Sequence, residues 1–240
     1  MPLILPPFFQ LHSLLDREGP GTAADVAWAV AIAGTRGRVR VMDAGCGPGA
    51  DTLELARLLP EGSIEAVDKH AHFVGEAEAR CAEFGTRVYI RQGDMADIVG
   101  PFDLIWCAGA LYFLGVTEGL LLWRDELAEG GAVAFSEPVL VETAEGEAGH
   151  DFWADYPAIT NRDGIADRVA AAGYRVLGVR RVVGQAWTDY YRPMEDKSAR
   201  LRLDADDALT AVLDEAEAEI AAWRANPDHV AYDLFVVTPE

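Results

Sequence analysis

Short runs of Val, Ile, Leu and Phe, broken by glycine, proline and acidic residues, recur at 38–43, 63–68, 86–91, 102–107, 131–137, 174–182 and 230–237. Such runs read as strands. The stretches between them, 50–59, 71–84, 117–129 and 161–172, carry helical patterns. Strands alternating with helices predict an α/β protein: a seven-stranded, mostly parallel sheet with helices on both faces. Two segments fall outside that rhythm. Residues 1–37 precede the first strand and predict one or two helices, with Pro20 and Gly21 marking a break. Residues 185–229 separate the last two strands, which would otherwise form a hairpin. Within them Leu209, Val212, Leu213, Ala216, Ile220 and Trp223 share one helical face, with acids on the other. That face suits either plain packing on the sheet or a cap over a site.

At 240 residues the chain can bury one sizeable core, so a single domain is expected: an N-terminal segment 1–37, a core 38–184, a helical insert 185–229 and a last strand 230–240. Half of the residues are hydrophobic, yet no uncharged run approaches the ~20 residues of a membrane span. The apolar start is broken by proline and lacks a basic region, unlike a signal peptide, so a cytoplasmic protein without membrane insertion is expected. The formal net charge is −20, from 20 basic and 40 acidic side chains, a surface that repels nucleic acid and anionic membrane. Arg175, Arg180 and Arg181 are the one local basic cluster. Cys46, Cys81 and Cys107 show no C-x-x-C spacing, which suits a reducing compartment and packing roles. His70-Ala-His72 falls at a helix start, a poor geometry for a shared metal, so no metal site is expected.

The sharpest chemical signal is Val39-Arg-Val-Met-Asp-Ala-Gly-Cys-Gly-Pro-Gly-Ala-Asp51. It reads as a strand ending in an acid, a glycine turn and a helix start. Gly45, Gly47 and Gly49 leave bare backbone for a ligand, and Asp43 sits at the carboxyl end of its strand, where open α/β sheets bind. The spacing formally fits a dinucleotide fingerprint. A pyrophosphate, however, wants no nearby carboxylate, and Asp43 and Asp51 bracket the turn. At about 5 Å and an effective dielectric near 20, each phosphate–carboxylate pair costs roughly 3 kcal/mol. S-adenosylmethionine carries no phosphate, and its ammonium and sulfonium would be attracted by the same acids.

The pattern continues in order. Ile64-Glu-Ala-Val-Asp68 is a second strand ending in an acid able to accept both hydroxyls of a ribose. Gln92-Gly-Asp94-Met95 follows the third strand, with a carboxylate for an adenine amino group and a thioether to pack its ring. Phe102-Asp-Leu-Ile-Trp106 opens onto Cys107-Ala-Gly-Ala110. Together these pieces resemble the class I S-adenosylmethionine-dependent methyltransferases. The resemblance implies a Rossmann-like sheet, S-adenosylmethionine as cofactor and methyl transfer to a small-molecule acceptor. It implies that Asp43, Gly45, Gly47 and Gly49 line the methionine end, that Asp68 takes the ribose and that Asp94 and Met95 take the adenine. It also sets Arg17, Gly21 and Cys107 beside the cofactor. The flanks, Phe8-Phe-Gln-Leu-His12, Arg17-Glu-Gly-Pro-Gly-Thr22, Gly109 to Gly115, and the aromatic pairs near 152–157 and 187–191, are similar to ubiquinone/menaquinone-type enzymes with an N-terminal lid. Relatives of that kind often carry Asn at the position of Phe113 and Gln at that of Glu18.

Methyl transfer from a sulfonium is an in-line displacement, and a general base is needed only when the acceptor must lose a tightly held proton. Tyr112 after strand four, Glu137 ending strand five and His12 in the lid are the candidates for acceptor contact or catalysis; His150 is a weaker one. The cluster of Phe152, Trp153, Tyr156, Trp187, Tyr190 and Tyr191 is either a seam joining insert to sheet or an aromatic wall for an apolar or cationic acceptor. A non-catalytic cofactor-binding or interaction protein and a nicotinamide oxidoreductase remain the alternatives. A homodimer is compatible with the composition.

Overall fold

The computed structural model describes residues 5–144 and 146–240. Residues 1–4, the first of the expected lid and of the apolar start, lie outside the described residues. One sheet holds β1 (Arg40–Ala44), β2 (Ser63–Asp68), β3 (Val88–Gln92), β4 (Phe102–Ala108), β5 (Leu127–Val139), β6 (Tyr174–Val182) and β7 (Ala231–Pro239). Their order is β3-β2-β1-β4-β5-β7-β6, and only β7 runs antiparallel to its neighbours. This is the expected Rossmann-like, mostly parallel sheet. β1 lies inside the sheet between β2 and β4 with both faces covered; Val41, Met42 and Ala44 are fully buried, as a near-continuous apolar strand requires.

Helices α1 (Pro7–His12) and α2 (Ala23–Ala33) precede the sheet, and α3 (Ala50–Leu58), α4 (Ala71–Cys81), α5 (Val116–Trp123) and α6 (Arg162–Ala171) connect its strands. The insert before the last strand forms two helices rather than one, α7 (Gln185–Leu201) and α8 (Asp207–Ala225). One face of the sheet packs under α1, α2, α3, α7 and α8; the other packs under α5 and α6 through Leu120, Trp123, Ile165 and Val169. The break marked by Pro20 and Gly21 ends in a capping box, with Thr22 and Asp25 exchanging side-chain and backbone hydrogen bonds at the start of α2.

Two expectations shift locally. The helical reading of 117–129 stops at Trp123, and 127–131 joins β5 instead. Leu127-Ala-Glu-Gly-Gly131 resembles a helix end with its glycine stop. Pairing decides otherwise: Phe102 meets Leu127, the register slips, and Leu104 then meets Ala132. Gly130, at φ +74°, turns the chain through that irregularity. Two of the three clustered arginines, Arg180 and Arg181, are ion-paired. Arg180 pairs with Asp25 at 2.8 Å, and Arg181 joins Arg162 on the fully buried Asp233.

Gly49 carries the tightest constraint in the turn after β1. Its φ is +86°, and a Cβ there would lie 2.7 Å from Ala77 Cβ and 2.9 Å from Ala77 Cα, so α3 and α4 meet only because the side chain is missing. Gly49→Ala is therefore expected to cost about 1–3 kcal/mol in urea unfolding. An unchanged midpoint would show that α4 yields to the added methyl.

Candidate functional site

The strand order reverses between β1 and β4, and a cavity of about 670 Å³ opens at their carboxyl ends, where α/β sheets place ligands. The turn between β1 and α3 forms its floor. Gly45 and Cys46 donate their N–H groups to Val67 O at 2.8 and 3.0 Å, which ties the turn to the end of β2. Gly45 has φ +81°, and a Cβ there would strike Ala110 Cβ at 2.8 Å. Gly47 donates its N–H to Asp68 Oδ2 at 3.0 Å, while Asp68 Oδ1 accepts from the His70 N–H at 2.8 Å. Two backbone donors thus fix the Asp68 carboxylate at the cavity wall.

Of the expected cofactor residues, Asp43, Gly45, Gly47, Asp68, Asp94, Met95 and Arg17 all line this cavity. Asp43 is buried under the turn and accepts a hydrogen bond from Thr52 Oγ1 at 2.5 Å. Arg17 reaches over from the N-terminal segment to Asp51 Oδ1 at 2.8 Å, and Trp106 Nε1 donates to Asp51 Oδ2 at 3.2 Å. Asp94 Oδ1 accepts the Ala96 N–H at 2.8 Å, and Met95 lies beside the glycine turn, its sulfur 3.7 Å from where a Gly45 Cβ would stand.

Gly49, Gly21, Cys107 and Glu137 fall elsewhere. Gly49 faces Ala77, and Gly21 sits behind Arg17, 2.7 Å from its Nη1 if given a Cβ. Cys107 lies on the opposite face of β4 from Trp106 and Ala108, because side chains alternate along a strand; it packs in the core under α5. The same alternation turns Glu137 to that face with Phe135. There Tyr156 Oη donates to Glu137 Oε2 at 3.4 Å, and Oε1 has no hydrogen-bond partner among the described residues. Burial pushes the Glu137 carboxyl up to about 8. It stands opposite Asp233 on β7. Burial raises Asp233 too, but hydrogen bonds from Arg162 and Arg181 outweigh it and hold the group below the usual range.

Tyr112 and His12 line the cavity; His150 is exposed on the 141–148 hairpin side, 3.7 Å from Glu147. His12 Nδ1 lies 2.6 Å from Glu18 Oε2, and its ring stacks on Phe8 at 4.1 Å. The aromatic cluster is mainly a seam. Phe152, Trp153, Trp187, Tyr191, Trp223 and Tyr232 contact one another in series between insert and sheet, and only Tyr190 of the expected group faces the cavity. The insert both packs and covers: Leu209, Leu213, Ile220 and Trp223 of α8 are buried, while Val212, Glu215, Ala216 and Glu219 line the cavity. Glu18, Lys69, Glu215 and Glu219 are cavity residues that sequence reasoning did not single out for a role. The i, i+4 spacing of the last two was the available signal. Among the described residues no group of His, Cys, Asp or Glu is arranged to hold a metal.

Residues 41–131 match a family model. It is the methyltransferase domain. Among curated proteins, the chain is similar to a trans-aconitate 2-methyltransferase of Deinococcus radiodurans, 32% identical over 54% of this chain and 48% of that protein. A trans-aconitate 2-methyltransferase of Streptomyces avermitilis is 28% identical over 79% of this chain and 76% of its own. The chain spans between 24% and 48% of the length of the first curated relatives it matches. In fold it is similar to an S-adenosylmethionine-dependent methyltransferase of Geobacter sulfurreducens solved with S-adenosyl-L-homocysteine. The TM-score is 0.83 at 20% identity, over the full length of both chains.

Asp43 makes the site pH-sensitive. Burial first, then the nearby Asp51 and Asp68 charges, push its carboxyl up to about 8, against the lowering effects of Thr52 and Arg17. Between the unfolded value near 4 and about 8 the folded state binds the extra proton, so this group's contribution to stability declines as pH rises through that window. Asp43→Asn is expected to stabilise the ligand-free protein by about 1–3 kcal/mol more at pH 8.5 than at pH 5.5. Urea melts at the two pH values check the difference, and a pH-independent effect would refute the assignment.

Proposed function

We propose that this chain is an S-adenosylmethionine-dependent methyltransferase that moves a methyl group to a small-molecule acceptor. The observation that carries this reading is the bare glycine turn held against a carboxylate whose two oxygens are already oriented by backbone N–H groups. The residues fit the cofactor. A side chain at Gly45 would collide with Ala110, so the floor stays clear. Asp68 offers its remaining lone pairs to ribose hydroxyls, and Asp94 and Met95 suit an adenine. Asp43 and Asp51 favour an ammonium and a sulfonium over a pyrophosphate. Arg17 is the arginine that lines the cavity beside the turn, and it is the group to hold an amino-acid carboxylate. When bound, the cofactor supplies an electrophilic methyl on sulfur.

The protein's part is alignment and exclusion of water. α1 packs on both α7 and α8, so the N-terminal segment and the insert form one roof over the turn. His12, Glu18 and Tyr190 project from that roof, and Tyr112 rises from the segment after β4. The methyltransferase-domain match and the trans-aconitate 2-methyltransferase relatives support a small-molecule acceptor. The narrower ubiquinone/menaquinone-type likeness rests on the flanks alone. Three free, buried cysteines suit a reducing, cytoplasmic setting. Among the described residues no helix is long and apolar enough to cross a membrane. Strong acidity argues against a nucleic-acid acceptor.

Titration with S-adenosylhomocysteine, beside NAD⁺ as control, tests the cofactor. Binding of the homocysteine compound alone is expected. Asp68→Ala is expected to weaken it at least tenfold, as befits the loss of one or more charge-assisted bonds, without unfolding the protein; unchanged affinity would sink the ribose assignment. Tight cofactor binding with no turnover across amine, carboxylate, hydroxyl and thiol acceptors would favour a non-catalytic binding protein.

A further inference from the structure

Charge in the cavity is one-sided. Arg17 and Lys69 are its permanent cations: Arg17 is paired with Asp51, whereas Lys69 stands over the Phe113 ring at 5.1 Å from its centroid and has no ion pair among the described residues. Past the glycine turn and the ribose acid, the remaining charged lining groups from the roof are Glu18, Glu215 and Glu219. Glu219 accepts a hydrogen bond from Tyr191 Oη at 2.6 Å, which fixes it at the mouth.

Glu18 is the most telling of these. One oxygen is matched to His12, but Oε1 is buried and has no partner among the described residues. Buried polar atoms left alone cost free energy, and Glu18, unlike the similarly orphaned Glu137, lines the cavity, where a ligand can supply the missing donor. Burial pushes the Glu18 carboxyl up, more than the neighbouring His12 lowers it. Its side chain leans over Gly47, 3.6 Å from the position of a Cβ there, and it shares the cavity lining with Tyr190 and Tyr112.

Resting on the methyltransferase reading above, we propose that the acceptor is a small amine that enters as its ammonium ion and is held by Glu18 Oε1 against the Tyr190 and Tyr112 rings. An ammonium over phenol faces, beside a carboxylate, is attracted by both. A tricarboxylate such as trans-aconitate would meet Glu18, Glu215 and Glu219, with Lys69 as the one lining Lys or Arg outside an ion pair among the described residues, so on this proposal the acceptor differs in charge from that named for the relatives. The ammonium must lose a proton before its nitrogen can act as a nucleophile. That proton passes from nitrogen to Glu18 Oε1: the N–H bond breaks, an O–H bond forms, and the lone pair stays on the now neutral nitrogen. His12, bonded to the other oxygen, orients the carboxylate.

The test measures binding, not turnover. The full chain is titrated with phenethylamine, 3-phenylpropionate and trans-aconitate, both free and saturated with S-adenosylhomocysteine. The amine is expected to bind at least tenfold more tightly than either carboxylate, and Glu18→Gln is expected to remove most of that preference. Equal or tighter binding of a carboxylate would overturn the proposal. So would a Glu18→Gln variant that loses S-adenosylhomocysteine but keeps the amine, since Glu18 would then belong to the cofactor. Failure of S-adenosylhomocysteine to bind would instead strike the methyltransferase reading, and the charge preference would still be read from the free protein.

Discussion

The turn after β1 can exist only because three successive backbone N–H groups find acceptors at the end of β2. Gly45 and Cys46 bond to Val67 O, and Gly47 bonds to the Asp68 carboxylate. The left-handed conformations at Gly45, Gly47 and Gly49 aim those groups, and side chains there would be strained. A single stitch therefore closes the floor of the cavity, holds the ribose-type acid in place and sets where α3 begins. It also sets how closely α3 can approach α4, through the contact of Gly49 with Ala77. Cofactor recognition and packing are one constraint here, not two.

The roof is built differently. Its parts come from opposite ends of the chain: α1 and the Arg17-Glu18 stretch from the start, α7 and α8 from the insert before β7. An aromatic seam through Trp153, Trp187, Tyr191 and Trp223 anchors the insert to Tyr232 of β7. With the insert held there, α8 spends one stripe on the core and turns a second, containing Glu215 and Glu219, toward the cavity.

Buried acids mark where the fold accepts cost and where it offsets it. Asp233 is ionised because two guanidiniums reach it. Asp43 and Glu137 have only hydroxyl donors, and both are pushed up to about 8. Glu137 is a buried residue near the end of β5, away from the cavity lining. Asp43 lies under the glycine turn, where an arriving cation would draw it into its charged form. Destabilised carboxylates at a binding site are a common signature of function.

The seven strands, the Rossmann-like order of motifs and the glycine turn were legible in the sequence, because short apolar runs and glycine spacing are local signals. So was the cavity placement of Asp43, Asp68, Asp94 and Met95, each of which lies within three residues of a strand's end. The start of β5 was not, since Leu127-Ala-Glu-Gly-Gly131 has a helix-end pattern and only pairing with β4 makes it a strand. Glu137 and Cys107 were misplaced for a related reason: which face a strand residue takes depends on register. Glu18, Glu215 and Glu219 look like ordinary surface acids in a chain of net charge −20. Sequence by itself determined which motifs build the floor of the site, because each motif lies in one strand and the turn that follows it. Only the tertiary structure decided the roof, because it brings residue 18 and residue 219 to one cavity, and no local pattern encodes that meeting.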